Sequence, residues 1–141
     1  MDEERIEKLR EKGIAPTIQR LVVLQYLEES TTHPTVEEIY EALKGQYPTF
    51  SKATVYNTLQ VLTQAGLIQE LTIEKEKAHY DPRPDIHHHF FCRRCHRIYD
   101  VEIDCSVVKR GMVEGHKIEM VQAYFYGLCA RCREEGDART A

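Results

Sequence analysis

Four of the five cysteines form two Cys-x-x-Cys pairs, Cys92 with Cys95 and Cys129 with Cys132, and 33 residues separate the two pairs. Four thiolates at this spacing are typical of a tetrahedral zinc site, in which the ion contributes to folding rather than to reactivity. The alternative is a pair of redox-active dithiols, but neither pair has the helix-opening context of a thioredoxin-type motif. The spacing therefore predicts a structural zinc ion, and it leaves Cys105 as a single, partly buried thiol.

The rest of the chain favours a reducing compartment, in which paired cysteines bind metal more often than they form disulfides. The sequence has no apolar run near the roughly 18 to 20 residues that a membrane span requires. Residues 1–12 are charged throughout rather than apolar. We therefore expect a soluble cytoplasmic protein that has no membrane partner.

The composition is that of a folded globular protein, with 42% hydrophobic and 30% charged residues. A chain of 141 residues can form one medium domain or two small ones. The net charge of −4 gives no general basic surface for nucleic acid, and residues 1–81 alone carry nine basic and 14 acidic side chains. Any surface that binds nucleic acid must therefore be local.

The first part of the chain has the pattern of helices followed by a short strand pair. Apolar residues at helical spacing predict three helices before any strand: the first follows Thr17, and the other two are expected to have caps at Thr35 and Ser51. The second helix is expected to reach Tyr47, and the third to close at Gly66. Residues 67–73 and 78–81 are expected to form two strands joined by a polar turn. This order of elements is that of a winged helix.

A short segment with two prolines, Pro82 and Pro84, indicates a domain boundary. We expect a winged-helix domain over residues 1–81, a hinge over 82–86 and a second domain over 87–141. In the second domain, strands are expected at 87–91, 98–103 and 118–126, and a helix at 104–114. The predicted fold class is thus α+β, with a small C-terminal α/β domain that is expected to need the zinc ion as a staple.

A second cluster of metal-ligand types follows the domain boundary. In a strand, His87 and His89 point to the same face, and Asp100 on the neighbouring strand can supply a carboxylate to them. His33 and Asp81 lie far away in the sequence, close to plausible domain contacts. Nitrogen and oxygen donors of this kind suit Fe(II), Mn(II) or Zn(II). The alternative is an adventitious histidine-rich strand and an ordinary turn residue at His33.

The third predicted helix has an exposed face of residue types that read bases and contact phosphates. No carboxylate occurs over residues 42–69, and over 12–27 the charged residues are Lys12 and Arg20 alone. An acid-free surface suits contact with phosphates, whereas a plain amphipathic helix with a polar face is the alternative. The candidate DNA contacts are Arg20, Ser51, Lys52, Ala53, Thr54, Tyr56, Asn57 and Gln60.

Four segments in succession resemble signatures of the ferric uptake regulator (Fur) family: residues 15–20, 33–40, 51–59 and 87–95. Members of that family are dimeric, metal-dependent transcription regulators with an N-terminal winged helix and a C-terminal dimerisation domain. The resemblance implies a homodimer that represses transcription at an AT-rich, near-palindromic operator in double-stranded DNA, and it implies no enzyme activity.

The resemblance also implies two metal ions per subunit. Cys92, Cys95, Cys129 and Cys132 correspond to the ligands of the structural zinc. The regulatory Fe(II) or Mn(II) site corresponds to His33, Asp81, His87, His89 and Asp100. Ligands from both domains would let the ion act as a clamp that raises the affinity for DNA.

Asp100 indicates which branch of the family the chain resembles. Iron-sensing members typically have Glu at this position, whereas the peroxide-sensing branch, PerR, has Asp, and Asp81 also suits that branch. In PerR proteins, Fe(II) reacts with hydrogen peroxide, a ligand histidine (His33 or His87 here) is oxidised, and DNA is released. The alternatives are an iron-responsive repressor or a manganese or zinc sensor of the same family. A redox enzyme that uses Cys105 and a metal-storage module are the alternatives from other classes.

Overall fold

A computed structural model describes residues 2–136 of the chain. The chain forms two compact units, the first ending at Pro84 and the second beginning at Asp85. In the described part of the chain, no helix is long and apolar enough to cross a membrane.

The first unit contains four helices and a two-stranded antiparallel sheet. These elements are α1 (Asp2–Glu11), α2 (Ile18–Glu29), α3 (Val36–Leu43), α4 (Lys52–Gln64), β1 (Gln69–Leu71) and β2 (His79–Asp81). The strands pair with Gln69 opposite Asp81 and Leu71 opposite His79. The predicted order of helices followed by a hairpin is confirmed, although each strand is shorter than predicted.

The two predicted helix caps, Thr35 and Ser51, are confirmed, and Thr17 also caps a helix. The hydroxyl of Thr17 accepts a hydrogen bond from the backbone N–H of Arg20, and Ser51 accepts one from Thr54. Thr35 and Glu38 form a reciprocal capping box, which satisfies two backbone donors at the start of α3. Helix α3 ends at Leu43, so the predicted continuation to Tyr47 is wrong.

Helix α1 was not among the predicted helices, because its few apolar residues give too weak a periodicity to indicate a helix. Leu9 is fully buried, and it is part of the core of the first unit. Glu28 on α2 accepts hydrogen bonds from Arg5 at 2.7 Å and from Lys8 at 3.1 Å. Contacts with α2 therefore hold this charged helix, because isolated helices of this length are marginal in water.

An apolar core fills the first unit. The core is made of residues from all four helices, from the segments that follow α3 and α4, and from the wing: Leu9, Val23, Leu24, Leu27, Ile39, Leu43, Phe50, Val55, Leu59, Leu62, Ile68 and Tyr80. Gly66 adopts φ +77°, and the backbone N–H of Leu67 then reaches the carbonyl of Leu62. This glycine ends α4 and directs the chain into β1.

The second unit is a three-stranded sheet with two short helices and a small hairpin. Its elements are β3 (His88–Cys92), β4 (Ile98–Val101), α5 (Ser106–Arg110), β5 (Met112–Val113), β6 (His116–Lys117), β7 (Tyr124–Gly127) and α6 (Ala130–Glu134). The sheet order is β4-β3-β7, with β3 antiparallel to β4 and parallel to β7. The mixed α and β character predicted for this part of the chain is confirmed.

Two elements of the second unit differ from prediction. The helix predicted over 104–114 is only five residues long, because it ends at Arg110 and the next residue, Gly111, adopts φ +72°. Cys105 precedes the helix as its cap residue, and it makes no side-chain capping hydrogen bond. The predicted strand over 118–126 begins only at Tyr124. Both errors arise because the exposed β5–β6 hairpin interrupts a stretch that has weak periodicity.

Candidate metal centres and nucleic-acid interface

The two Cys-x-x-Cys pairs come together at one end of the sheet in the second unit. Cys92 is the last residue of β3, Cys95 lies in the turn that follows, Cys129 caps α6, and Cys132 lies within that helix. The four sulfur atoms lie within 4.8 Å of one another. The Sγ atoms of Cys95 and Cys129 are 3.8 Å apart, which is about the separation of two sulfurs in a tetrahedron with Zn–S bonds of about 2.3 Å.

Backbone amides surround the sulfur atoms. The N–H groups of Cys95 and Cys129 point at Sγ of Cys92 with N···S distances of 3.5 and 3.4 Å, and that of Cys132 points at Sγ of Cys129 at 3.5 Å. Hydrogen bonds of this kind stabilise thiolates rather than thiols. All five cysteines lie in the described part of the chain, and all are free of disulfide bonds.

The thiols of the cluster differ in their pKa values. Burial raises the pKa of Cys92, but the backbone N–H donors outweigh burial and lower this pKa to about 6. Burial raises the pKa of Cys132 to about 12, and its hydrogen bonds with the neighbouring cysteines add to the rise. Thiolates in contact repel one another, so they cannot all ionise alone, whereas a divalent cation allows all four to ionise. The four-cysteine cluster fits a structural zinc ion.

Tyr99 and Arg131 support the sulfur cluster from outside. A hydrogen bond between the hydroxyl of Tyr99 and Cys129 lowers the pKa of the thiol and raises that of the tyrosine. The guanidinium of Arg131 interacts with Cys95, which raises the pKa of Arg131. Arg94 instead donates to the backbone carbonyl of Cys132 at 3.1 Å. The sequence motifs do not indicate Tyr99, because its contact with Cys129 depends on the pairing of β3 with β4, in which Tyr99 lies opposite Phe90.

His33 and Asp81 form a buried pair in the first unit. His33 lies in the turn before α3, and Asp81 is the last residue of β2. The Nε2 atom of His33 is 3.2 Å from Oδ2 of Asp81, and Asp81 is only 1% exposed. The other carboxylate oxygen accepts a hydrogen bond from the backbone N–H of Arg83 at 2.8 Å. This arrangement offers one imidazole and one carboxylate, both donors that suit Fe(II) or Mn(II).

The backbone of His33 is strained, and β2 holds it in place. His33 has φ +55°, a left-handed conformation that costs a non-glycine residue roughly 1–2 kcal/mol. The Nδ1–H of His79 donates to the carbonyl of His33 at 2.6 Å. The backbone N–H of Tyr80 donates to the carbonyl of Pro34 at 3.0 Å. Successive residues of β2 therefore fix the turn that carries the imidazole of His33.

His87, His89 and Asp100 form a second donor group, in the second unit. His89 lies directly opposite Asp100 in the pairing of β3 with β4. The Nε2 atoms of His89 and His87 are 3.3 and 3.5 Å from Oδ1 of Asp100, and the two imidazole rings are 4.5 Å apart. His88 points to the opposite face, where its ring contacts Phe125. The predicted alternation along the strand is confirmed, and these donors also suit Fe(II) or Mn(II).

Helix α4 displays the candidate DNA contacts on its outer side. Val55, Leu59 and Leu62 are fully buried. Among the candidates, the exposed residues are Ser51, Lys52, Ala53, Tyr56 and Asn57, and the half-buried ones are Arg20, Thr54 and Gln60. The inward side of the helix is broader than predicted, because Thr58 is also buried.

The basic side chains near this surface are held in defined positions. The guanidinium of Arg20 donates to the carbonyl of Ala15 at 3.0 Å. The ammonium of Lys52 lies 5.9 Å from the centre of the Tyr40 ring, and that of Lys44 lies 5.6 Å from it. Cation–π contacts of this kind orient a charge while leaving it accessible. Lys44 is also ion-paired with Glu41 at 2.8 Å, so the basic group that the N-terminus of α4 offers to this surface is Lys52.

Comparison with known protein families identifies the family of this chain. The sequence model of the ferric uptake regulator family matches residues 11–126. The chain belongs to this family. The resemblance that the sequence motifs indicated is therefore confirmed.

Several known proteins match most of the chain. The peroxide operon regulator of Bacillus subtilis (strain 168) is 36% identical over 135 residues, which are 94% of this chain and 93% of that protein. PerR from Streptococcus pyogenes, whose solved structure concerns peroxide sensing and gene regulation, is 34% identical to this chain. The match to that structure covers 93% of this chain and 92% of that one, with a TM-score of 0.54.

The Fur structure from Helicobacter pylori is similar in fold alone. It has a TM-score of 0.71 at 24% identity, and the match covers 94% of this chain and 91% of that one. The predicted fold class, an N-terminal winged helix followed by a small α/β unit with a zinc-type cysteine cluster, is confirmed. The assignment of individual residues to metal or DNA stays a prediction.

Proposed function

We propose that this member of the ferric uptake regulator family is a metal-dependent transcriptional repressor that responds to hydrogen peroxide. One observation carries the proposal. The same winged-helix unit contains helix α4, which has no carboxylate and an exposed side, and the buried His33–Asp81 pair. The relatives named as peroxide regulators support the peroxide response, because their identity to this chain extends over more than nine-tenths of its length. We further propose that the protein acts in the cytoplasm.

The proposed partner is double-stranded DNA. The N-terminal part of α4 would enter the major groove, with Lys52 near phosphates and Tyr56 and Asn57 near base edges. A homodimer would present two such helices to half-sites about one helical turn apart, which suits an AT-rich, near-palindromic operator. The lack of carboxylates over residues 42–69 supports this role, since each acid would repel the phosphates.

The proposed regulatory ion is Fe(II) or Mn(II), one per subunit, and its proposed ligands are His33, Asp81, His87, His89 and Asp100. Both donor groups offer imidazole and carboxylate, the ligands that these ions accept. Because the proposed ligands belong to both units, binding of the ion would favour one arrangement of the units. If DNA binds that arrangement best, metal and DNA affinities rise together by linkage.

Two residues of this chain are proposed as the peroxide-sensitive groups. Fe(II), when bound, would activate hydrogen peroxide, so that one of its oxygen atoms is added to a nearby imidazole ring and the other leaves as water. The imidazole of His33 or His87 would be oxidised, and an oxidised ring would no longer donate its nitrogen to the site. Both side chains are shielded to a similar degree, with 8% of the His33 side chain and 7% of the His87 side chain exposed. Loss of either ligand would release DNA by the same linkage that metal binding uses.

A gel-shift experiment with a matched pair of variants tests the metal dependence. The probe is an AT-rich, near-palindromic duplex of the type that the family binds, with and without Mn(II). We expect His87→Ala to lose the stimulation of binding by Mn(II) and to keep its zinc. His116→Ala, which changes an exposed histidine of β6, is expected to bind as the wild type does. Mn(II)-stimulated binding by His87→Ala would refute the ligand assignment.

The peroxide response is tested on the same protein loaded with Fe(II). After exposure to peroxide, we expect loss of DNA binding and an added oxygen on a peptide that contains His33 or His87. The Mn(II) form is expected to stay unmodified and to stay bound to DNA. If the Fe(II) form also stays unmodified and bound, the protein responds to metal rather than to peroxide.

A further inference from the structure

His79 is a buried histidine to which neither the motifs nor the proposed ligand set assigns a role. It lies on β2 of the first unit, and only 7% of its surface is exposed. Its two ring nitrogens face two different partners. Nδ1 is 2.6 Å from the carbonyl oxygen of His33, and Nε2 is 2.6 Å from Oε1 of Glu74.

The contact with His33 reaches the backbone of a proposed metal ligand. A carbonyl oxygen can only accept, so Nδ1 of His79 carries the hydrogen and donates it. The carbonyl belongs to the residue whose φ is +55°, a conformation that the surrounding structure must impose on a non-glycine residue. The hydrogen bond from His79 therefore holds the strained peptide that aims the imidazole of His33 at Asp81.

The contact with Glu74 fixes the ring of His79. Glu74 lies in the polar turn between β1 and β2, which is the turn of the wing. Its carboxylate oxygen accepts a hydrogen bond from Nε2, so the imidazole donates from both nitrogens and cannot rotate without losing a short hydrogen bond. A chain of contacts thus runs from the wing turn through His79 to the main chain of His33.

We propose that His79, held by Glu74, is a positioning residue for His33 and thereby sets the metal affinity of the regulatory site. This inference rests on the proposed function, because it takes His33 to be a metal ligand. Outer groups that orient metal ligands are typically worth about 10- to 100-fold in metal affinity. His79 acts on the backbone of the ligand rather than on its ring, so an effect at the low end, about tenfold, is expected.

The test is a titration of the zinc-loaded protein with Mn(II), in which free Mn(II) is measured by electron paramagnetic resonance. His79→Ala removes both contacts and is expected to weaken Mn(II) binding about tenfold. His116→Ala, at an exposed position, is the matched control and is expected to bind as the wild type does.

Two polar variants separate positioning from a general loss of structure. His79→Asn keeps an amide N–H near the place of Nδ1, and it is expected to stay within about threefold of the wild type. His79→Gln places its amide near Nε2, towards Glu74, and is expected to bind as weakly as His79→Ala. Thermal unfolding of both variants checks that they are equally stable. Equal Mn(II) affinity of the Asn and Gln variants would overturn the inference even if His79→Ala did not fold.

His33→Ala separates failure of this inference from failure of the proposed function. If His33→Ala binds Mn(II) as the wild type does, the ligand assignment is wrong, and the inference fails with it. If His33→Ala loses Mn(II) binding while all His79 variants bind normally, the ligand assignment stands and only the positioning role of His79 is overturned.

Discussion

The two units of the chain have cores of different chemistry. The core of the first unit consists of aliphatic and aromatic side chains, of which Leu59 and Tyr80 are fully buried. The main buried cluster of the described second unit is made of Cys92, Cys129 and Cys132, with partly buried apolar residues around them. Burial of apolar surface can stabilise the first unit without an ion, whereas the second unit has little such surface. The difference implies that zinc is a condition of folding for one unit only.

Loss of the zinc ion should produce the largest difference in stability between the two units. Cys92→Ser removes a ligand, and structural zinc sites contribute about 10–16 kcal/mol to the folding of small domains. We expect the second unit to lose its zinc and its tertiary structure, while the first unit stays folded. Zinc content and the dispersion of amide signals in NMR spectra measure the two effects.

Cys105→Ser is the control for this variant, since Cys105 lies outside the sulfur cluster. It is expected to keep its zinc and the spectrum of the second unit. A Cys92→Ser protein whose second unit stays ordered without zinc would contradict the proposed difference between the cores.

A cavity introduced into the first unit by mutation should destabilise that unit and leave zinc binding unchanged. Leu59→Ala deletes a fully buried side chain of α4, and we expect it to lower the free energy of unfolding of the first unit by about 2–5 kcal/mol. Zinc content should not change. Gln64→Ala, at an exposed position of the same helix, is expected to stay within about 0.5 kcal/mol of the wild type. Loss of zinc from Leu59→Ala would show that the two cores are not independent. Chemical denaturation measures the free energy of unfolding, and a zinc assay measures the zinc content.

A smaller change sharpens the comparison within the second unit. Tyr99→Phe removes the hydroxyl that hydrogen-bonds Cys129, so the pKa of that thiol should rise and its thiolate should bind zinc less well. We expect zinc affinity to fall about tenfold, as measured by competition with a chelator. Tyr126→Phe changes a tyrosine that is 60% exposed and should have no effect. Equal affinities for the two variants would mean that the hydroxyl of Tyr99 does not support the cluster.

The same contrast explains what the sequence could predict. Caps at Thr17, Thr35 and Ser51 and strong helical periodicity specify the helices of the first unit locally, so they were predictable. Helix α1 was not, because it depends on the burial of Leu9 and on ion pairs with a distant helix.

In the second unit, the sequence indicates the metal ligands but not the secondary structure of the chain between them. The spacing of the four cysteines and the alternation of His87 and His89 are short-range patterns, and both were predictable. The short α5 and the exposed β5–β6 hairpin have little core to specify them, so periodicity failed there. The roles of Tyr99 and His79 depend on contacts between strands and turns, which no single segment reveals.

The central claim is that one chain carries two chemically different metal sites, a sulfur site for folding and a nitrogen–oxygen site for DNA binding. The most direct measurement follows zinc content and DNA affinity together while EDTA removes the loosely bound metal. We predict that one zinc ion per chain stays bound, that DNA binding is lost, and that Mn(II) restores it. DNA binding that persists with zinc alone, or that disappears only when zinc leaves, would contradict the account.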